Sequence, residues 1–279
     1  MKLNTFIKIF ILLLLTIVPQ TEVLGQTRKK PSTASASRKK PVSKTKTVEQ
    51  LVAELAQNMV FVEGGTFMMG TNFDDNDYFE INADETPAHK VTVSSYYICK
   101  YEVTQELWQA VMGDNPSVFK GARLPVDNMT LEECHDFLSR LNSITGESYR
   151  LPTEAEWEFA ARGGNNSKGF KYAGSNNISE VAWYDDNSGN KTHIVGTKKP
   201  NELGLYDMSG NATEWCQDWY HPNYYEYSDG IVNPKGPSTG TLRVYRGGDY
   251  FLKTKFHRVT NRHFPPIYQG RGIGFRLAK

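Results

Sequence analysis

Cysteine is scarce in this sequence, which has only three in 279 residues: Cys99, Cys134 and Cys216. No two of them form a CxxC pair, and none stands at zinc-ligand spacing from a histidine, which argues against a zinc site. Cys134 falls on the apolar stripe of a predicted helix and is expected to pack as a small apolar side chain. Three cysteines leave room for at most one disulfide, and the sequence does not determine its pairing.

A long hydrophobic run is also missing. The main apolar stretch, residues 9–18, is too short to cross a bilayer. Lys2 and Lys8 precede it, and a short polar and apolar stretch leads to Gly25. This pattern predicts a cleaved signal peptide over residues 1–25 and therefore a periplasmic or secreted protein, with an uncleaved anchor as the alternative. No cysteine lies near residue 25 to accept a lipid.

Acidic residues are absent from residues 26–48, which contain eight basic residues among Ser, Thr, Ala and Pro. Such a segment cannot bury enough apolar surface to offset the entropy of ordering, so we predict a disordered basic linker. It is either a spacer or a contact to an anionic surface. Residues 49–279 carry 22 Lys and Arg against 30 Asp and Glu, a formal charge of about −8, which argues against nucleic-acid binding by the folded part.

The first half of the folded part shows clear helix and strand patterns. Residues 49–57 predict a short lead-in helix, and residues 59–70 predict a strand, a Gly-Gly turn and a second strand, so that the domain proper starts near residue 58. Residues 89–104 continue in strand style. Thr104 then begins a helix that runs through Met112 and ends at Gly113.

Two further helices are marked by capping boxes, in which a Thr hydroxyl and a Glu carboxylate three residues later satisfy backbone donors. The pairs are Thr130 with Glu133 and Thr153 with Glu156. Beyond residue 164 no helix of comparable strength is predicted, and the strand candidates are short: 192–196, 242–245 and 274–277. Early helices followed by loops on short strands indicate the α+β class.

The segment 149–164, YRLPTEAEWEFAARGG, resembles the most diagnostic stretch of the formylglycine-generating enzyme (sulfatase-modifying factor) family. Other matches follow in the family's order, at residues 60–70, 102–104, 124–126, 204–211, 214–216, 246–248 and 274–276. The resemblance covers residues 58–279. It implies one irregular domain of the C-type-lectin-like fold, with long loops and bound structural calcium.

The resemblance also implies which residues hold calcium. In the family, one ion takes side-chain oxygens from the first and last positions of a loop and backbone carbonyls from the fourth and sixth. Here these positions are Asp207, Gly210, Ala212 and Glu214. Ca²⁺ prefers six to eight oxygen ligands in irregular geometry, which such a loop can offer. The alternative is an acidic capping loop without metal, and a second family site, which would use Asn187, matches less well in spacing.

The sequence departs from the family where its chemistry resides. The family's two cysteines, which bind copper and attack the substrate cysteine, correspond to Leu252 and His257. The neighbouring active-site positions also differ, with Thr213, Asp249 and Gly272 in place of the family's residues. Paired thiolates are what copper(I) needs, so copper is not expected and formylglycine generation is predicted to be absent.

Other residues in the same segment could have taken over a chemical role. Asp249, His257 and His263 are candidates for an acid–base or metal site, because a His beside a carboxylate can act as a base. The alternative is that they are hydrogen-bonded loop residues. Aromatic residues are also dense in the last third of the chain, notably in the Tyr-rich loop 220–228, as on carbohydrate- and protein-binding surfaces.

Three functions remain open from the sequence. The favoured one is a non-catalytic, calcium-stabilised binding or scaffold module of the cell envelope, a pseudoenzyme with a protein or glycan ligand in a C-terminal cleft. The second is a periplasmic enzyme of altered, oxidoreductase-type chemistry on the same fold. The third is an envelope-machine component resembling gliding and type IX secretion lipoproteins, against which the missing lipid-acceptor cysteine counts.

Overall fold

The computed structural model describes residues 45–72, 81–263 and 271–279. The predicted signal peptide and most of the predicted linker lie outside these ranges. The helices are α1 Val48–Gln57, α2 Gln105–Met112, α3 Leu131–Thr145, α4 Glu154–Ala161 and α5 Ile178–Val181. The strands are β1 Met59–Val62, β2 Gly65–Met69, β3 His89–Val93, β4 Tyr96–Cys99, β5 Thr213–Trp219, β6 Arg243–Arg246 and β7 Ile273–Gly274.

The folded part of the chain begins slightly before the predicted end of the linker at residue 48. Thr47 is the N-cap of α1 and forms a capping box with Gln50. Lys46 forms ion pairs with Glu54 at 2.5 Å and Glu106 at 3.0 Å. The last residues of the predicted disordered linker are therefore held by side-chain contacts to α1 and α2, and the lead-in helix starts at Val48 instead of residue 49.

The strands form three small sheets. Antiparallel β1 pairs with β4 and antiparallel β2 with β3, while β6, β5 and β7 form a three-stranded sheet in which β5 and β7 run parallel. The glycines between β1 and β2 therefore carry the chain from one sheet to the next and do not close a hairpin between them. Mixed helices and small sheets confirm the predicted α+β class.

Two strand predictions in the second half need correction. Residues 192–196 form no strand, because a side chain takes a backbone hydrogen bond that a neighbouring strand would need. The backbone N–H of His193 donates to Oδ1 of Asn211 at 2.8 Å. Of the candidate at 274–277 only Gly274 is in a strand, as the last residue of β7. The candidate at 242–245 is confirmed as β6, displaced by one residue, and the sequence did not predict β5 as a strand.

The helix ends follow the predicted chemistry. Both capping boxes are formed, since the Thr130 and Thr153 hydroxyls accept from the N–H groups of Glu133 and Glu156 at 3.1 and 3.2 Å. Gly113, with φ of 91°, ends α2 in the left-handed conformation. Thr104 precedes α2 as N-cap without a side-chain cap hydrogen bond.

One apolar cluster packs α2 and α3 against the strands that end the chain. Phe137 is fully buried, stacks on Trp108 with ring centroids 5.2 Å apart, and meets the edge of Phe275 at 5.4 Å. Cys134 belongs to the same cluster, as predicted. All three cysteines are buried free thiols, so the disulfide that the sequence left open is not formed.

Helix α4 is buried on nearly every side, including the carboxylates of Glu154 and Glu158. Glu158 pairs with fully buried Arg246, and Glu154 accepts two hydrogen bonds from Arg262, at 2.7 and 2.9 Å. A third buried pair joins Glu85 to Arg258 at 2.5 Å. Because an unpaired buried charge is costly, these pairs tie α4 and the segment 246–262 into one unit.

None of the helices among the described residues is long and apolar enough to span a membrane.

Candidate functional site

The predicted calcium loop forms a tight backbone turn. Asp207, Gly210 and Asn211 all have positive φ, of 58°, 87° and 67°. A Cβ at Gly210 would stand 2.5 Å from the carbonyl oxygen of Trp183, so only glycine allows this close approach. Asp207 is buried, and its Oδ2 accepts from the N–H of Gly196 at 2.7 Å. Its Oδ1 is buried and has no hydrogen-bond partner.

Glu214, the last residue of the predicted calcium set, is fully buried and already has strong partners. Arg276 donates to both its carboxylate oxygens, at 2.6 and 2.7 Å, and the Trp157 indole N–H donates to Oε2 at 2.7 Å. Arg276 also donates to the carbonyl of Tyr206, beside Asp207. The loop and its carboxylates are thus joined to the Gly-Phe-Arg segment near the end of the chain.

A third carboxylate, Glu102, lies behind the loop. Its oxygens accept from the N–H of Ala212 and the side-chain amide of Asn211, both at 2.9 Å. Burial, with Asp207 and Glu214 close by, raises the pKa of Glu102 well above its usual range. Burial likewise raises the pKa of Asp207 to about 6. The sequence contained Glu102 in a family motif, but nothing in its spacing marked it as part of this site.

Asn187, which a second family ion site would use, lies in the turn after α5, and that site stays a prediction. Its side-chain oxygen accepts from the N–H of Tyr184 at 2.9 Å, and its amide donates to the carbonyl of Ala182 at 3.0 Å. Both ends of the amide are therefore used to close the turn after α5.

A cavity of about 470 Å³ opens at the face where the predicted cleft residues meet. The described residues that line it are Asn82, Ala83, Asp84, Thr213, Tyr220, Pro222, Tyr245, Asp249, Leu252, Phe256, Arg262, His263, Arg271 and Ile273. It thus brings together Thr213, Asp249 and Leu252, which the resemblance placed at the family's active-site positions, with His263. His257 is not among the lining residues.

Asp249 is the buried acidic group of this cavity. It is 2 % exposed; Oδ1 accepts from the N–H of Phe251 at 2.9 Å, and Oδ2 lies 3.5 Å from the Thr213 hydroxyl. Burial raises the pKa of its carboxyl to about 7, against the opposing effects of these hydrogen bonds and of Arg271. Asp249 is therefore divided between its neutral and charged forms near neutral pH.

The two histidines are engaged by backbone carbonyls. His257 is fully buried, with Nε2 2.9 Å from the Asp249 carbonyl oxygen and Nδ1 3.0 Å from that of Lys253. His263 Nε2 lies 2.9 Å from the carbonyl of Phe256. Burial lowers the pKa of His257, and it lowers that of His263 to about 4. Each histidine is thus hydrogen-bonded to the backbone of its own segment, and burial disfavours the charged form of both rings.

No group of three or more His, Cys, Asp and Glu side chains arranged to hold a metal ion occurs within residues 45–72, 81–263 and 271–279. Asp249, His257 and His263 form no such group, and their role as an acid–base or metal site stays a prediction. The calcium ligands that the resemblance implies are two acidic side chains, Asp207 and Glu214, and the backbone carbonyls of Gly210 and Ala212.

The Tyr-rich loop divides between core and surface. Tyr225 is 1 % exposed and its hydroxyl donates to Glu154 at 3.4 Å, whereas Tyr227 is 54 % exposed. Tyr220 lines the cavity and donates to Asp84 at 2.9 Å. The tyrosines of the loop therefore have different surroundings: Tyr220 lines the cavity, Tyr225 packs in the core, and Tyr227 is exposed.

Comparison with known proteins decides the family. Residues 44–279 match the sulfatase-modifying factor enzyme 1-like domain. The chain belongs to this family. The match includes every residue that the structure describes, and it confirms the resemblance read from residues 149–164.

Relatives within the sulfatase-modifying factor family carry different names. The chain is 34% identical over 270 residues to the chaperone protein LppX of Paenibacillus barcinonensis. This alignment covers 79% of this chain and 87% of LppX. It is 39% identical over 147 residues to the formylglycine-generating enzyme of Streptomyces coelicolor, across 46% of each. Against the serine/threonine-protein kinase pkn1 of Chlamydia pneumoniae, at 30% identity, it spans 38% of the relative's length.

Solved structures show the same fold. Treponema denticola variable protein 1 superimposes with a TM-score of 0.70 at 32% identity, over 79% of this chain and 94% of the other. PvdO from Pseudomonas aeruginosa gives a TM-score of 0.66 at 30% identity, over 79% and 93% of the two chains. The fold of the sulfatase-modifying factor family is therefore that of this protein.

Proposed function

We propose that this protein is a non-catalytic member of the sulfatase-modifying factor family that binds a ligand in the cavity beside Asp249. The observation that carries the proposal is the chemistry of the cavity wall. Leu252 and Asp249 line it, and none of the three cysteines of the sequence does. A thiolate mechanism needs sulfur at the site of reaction, and this wall offers a carboxyl, aromatic rings and apolar side chains.

The three cysteines support the same conclusion from their own surroundings. Cys99, Cys134 and Cys216 are buried and belong to β4, α3 and β5. Burial raises the pKa of each thiol, so the reactive thiolate is disfavoured. They are core side chains rather than nucleophiles.

Incubation of the purified protein with a peptide carrying a sulfatase motif is expected to leave the peptide cysteine unchanged, with or without copper. The measurement is the peptide mass, which changes when the thiol becomes an aldehyde. The formylglycine-generating enzyme of Streptomyces coelicolor serves as the positive control under the same conditions. Oxygen-dependent conversion that requires this protein would overturn the proposal.

Calcium in the loop 207–214 is part of the proposal. Asp207 and Glu214 both raise the pKa of Glu102, while Arg276 opposes the shift at Glu102 and at Asp207, and Lys198 opposes it at Asp207. The three carboxylates, when ionised, carry more negative charge than buried Arg276 and partly exposed Lys198 balance. A divalent ion would balance the excess, and the unpartnered Asp207 Oδ1 offers it a ligand. Asp207, Gly210, Ala212 and Glu214 would hold the ion, which would supply structural cross-linking of the loop.

Chelation is expected to lower the melting temperature of a calcium-loaded sample by about 5 to 10 °C, because an ion at a hundred times its dissociation constant stabilises by about 2.7 kcal/mol. Asp207→Asn should remove most of this response while keeping the hydrogen bond to Gly196. Asp136→Asn, on the exposed face of α3, is the matched control and should keep it. An unchanged melting temperature after chelation would count against the ion.

A periplasmic or secreted location is part of the proposal. A signal-like segment at residues 1–25 supports an exported protein of the periplasm or outside of the cell. A binding role also agrees with the name of LppX, a chaperone that is similar over most of its length. A protein or glycan partner in the cavity, and contact of the basic linker with an anionic surface, are the partner classes that this proposal includes.

A further inference from the structure

Asp249 is a buried carboxylate on the cavity wall that lacks an ion-pair partner. Within the described part of the chain, no basic side chain lies within ion-pair distance of either of its oxygens. Oδ1 has one hydrogen bond from a backbone N–H, and Oδ2 has one long contact from the Thr213 hydroxyl. This differs from Glu85, Glu154 and Glu158, each of which is paired with a buried arginine. A bound cation could therefore act as the counter-ion of Asp249.

The groups around Asp249 do not supply this counter-charge. His257 directs its two ring nitrogens at the backbone carbonyls of Asp249 and Lys253 and not at the Asp249 carboxylate, and burial lowers its pKa and that of His263. Arg262 is bound by Glu154 through two hydrogen bonds. Arg271 is exposed, donates to the Tyr250 hydroxyl at 3.0 Å, and is also attracted by buried Asp127, so it is only a distant counter-charge.

A second carboxylate lines the same cavity. Asp84 is 9 % exposed and accepts from the Tyr220 hydroxyl at 2.9 Å. Burial raises its pKa, with Arg262 and Tyr220 opposing that effect. The acidic groups of the wall therefore include Asp84 and Asp249. Of the arginines that line it, Arg262 is buried and paired with Glu154, and Arg271 is exposed.

The rest of the wall is suited to an apolar body next to a cation. Tyr245 and Phe256 flank His263, with ring centroids 6.5 and 5.8 Å from its ring. Leu252 and Ile273 add aliphatic surface. Aromatic faces attract cations as well as apolar groups, and a cavity of this volume suits a small molecule or one large side chain.

We infer that the cavity binds the protonated amine of a ligand with an apolar body, with Asp249 as its counter-ion and Tyr245 and Phe256 among the surfaces that cover the body. The inference rests on the proposed binding function and names the chemical class of the ligand. A ligand held by a carboxylate at Arg271 is the opposite arrangement, and the test below separates the two.

Three probes of the same shape and different charge test the inference: 2-phenylethylamine, 2-phenylethanol and 3-phenylpropanoate, titrated into ¹⁵N-labelled protein and followed by chemical shifts. The amine is expected to bind at least tenfold more tightly than the alcohol or the carboxylate. Asp249→Asn keeps the acceptor for the Phe251 N–H and removes the charge, so it should weaken the amine at least tenfold. Asp136→Asn should leave its affinity unchanged.

The pH dependence gives a second readout. Only ionised Asp249 attracts the amine, and its pKa of about 7 means that its ionised fraction rises from about pH 5.5 to about pH 8, while the amine stays protonated. The affinity of the amine should therefore rise over this range, and Asp249→Asn should flatten the profile.

Tighter binding of 3-phenylpropanoate than of the amine, no saturation by the amine at tens of millimolar, or unchanged amine affinity in a folded Asp249→Asn protein would each overturn the inference. The first of these would leave the binding function standing, with a ligand of opposite charge. Conversion of a sulfatase-motif peptide would overturn the proposed function whatever the probes do, so the two failures are distinguishable.

Discussion

Arg246→Met is expected to lower the free energy of unfolding by about 3 to 5 kcal/mol, because it breaks a buried ion pair and leaves fully buried Glu158 with the partly exposed Arg162 as its counter-charge. Arg246 is fully buried, pairs with Glu158, lies 3.6 Å from Glu154, and donates to the carbonyls of Thr260 and Asn261. A small domain is stable by about 5 to 15 kcal/mol in total, so the loss is a large share. Urea unfolding followed by tryptophan fluorescence measures it.

The control for Arg246→Met is Arg140→Met on the exposed face of α3, which should change stability by no more than about 0.5 kcal/mol. The double variant Arg246→Met with Glu158→Gln removes both charges of the pair and should recover part of the loss, because no buried charge then remains at position 158 and Arg162, which also pairs with Glu158, is partly exposed to water. A cost below about 1 kcal/mol for Arg246→Met alone would show that the buried pair does not hold α4 to the segment 246–262.

Phe137→Ala is expected to cost about 3 to 5 kcal/mol, since it empties the centre of the cluster between α3, α2 and the last strands. Phe137 is fully buried between Trp108 and Phe275, so the surrounding rings cannot close the space without moving α2 or residues 273–277. Thermal unfolding in the presence of calcium measures the effect separately from any loss of metal.

Ile144→Ala on the same helix is the matched control for Phe137→Ala. Its side chain is 50 % exposed, so its truncation removes little buried surface and should cost less than about 1 kcal/mol. Equal losses for the two variants would mean that helix propensity, and not the cavity left in the cluster, determines the stability of α3.

Local signals in the sequence predicted the helices well. Thr130 with Glu133 and Thr153 with Glu156 determined where α3 and α4 begin, because the capping contacts lie within four residues of chain. Gly113 ended α2 for the same local reason. The strands were harder to predict: β5 lies within a segment read as loop and framework, and its partners β6 and β7 are distant along the chain.

The site shows the same division between local and distant information. The resemblance supplied Asp207 and Glu214 and marked Asp249 as a departure from the family. It gave no reason to expect that Glu102 would lie behind Asn211 and Ala212, because that contact joins residues about a hundred positions apart. Nor could spacing alone show that both ring nitrogens of His257 face backbone carbonyls. Long-range pairing decides these contacts.

The last residues of the chain close several parts of the fold at once. The carbonyls of Leu277 and Lys279 accept from Cys99 and Tyr97 in β4, Ala278 pairs with Arg150, and β7 pairs with β5 beside Glu214. Residues near 100, 150 and 214 thus share a single late partner. A chain whose residues 273–279 are still inside the ribosome cannot complete the pairings of β4, of Arg150 or of the loop 207–214, and a topology with so many long-range contacts folds slowly. These parts of the fold must therefore wait, already synthesised, until residues 273–279 emerge and join them.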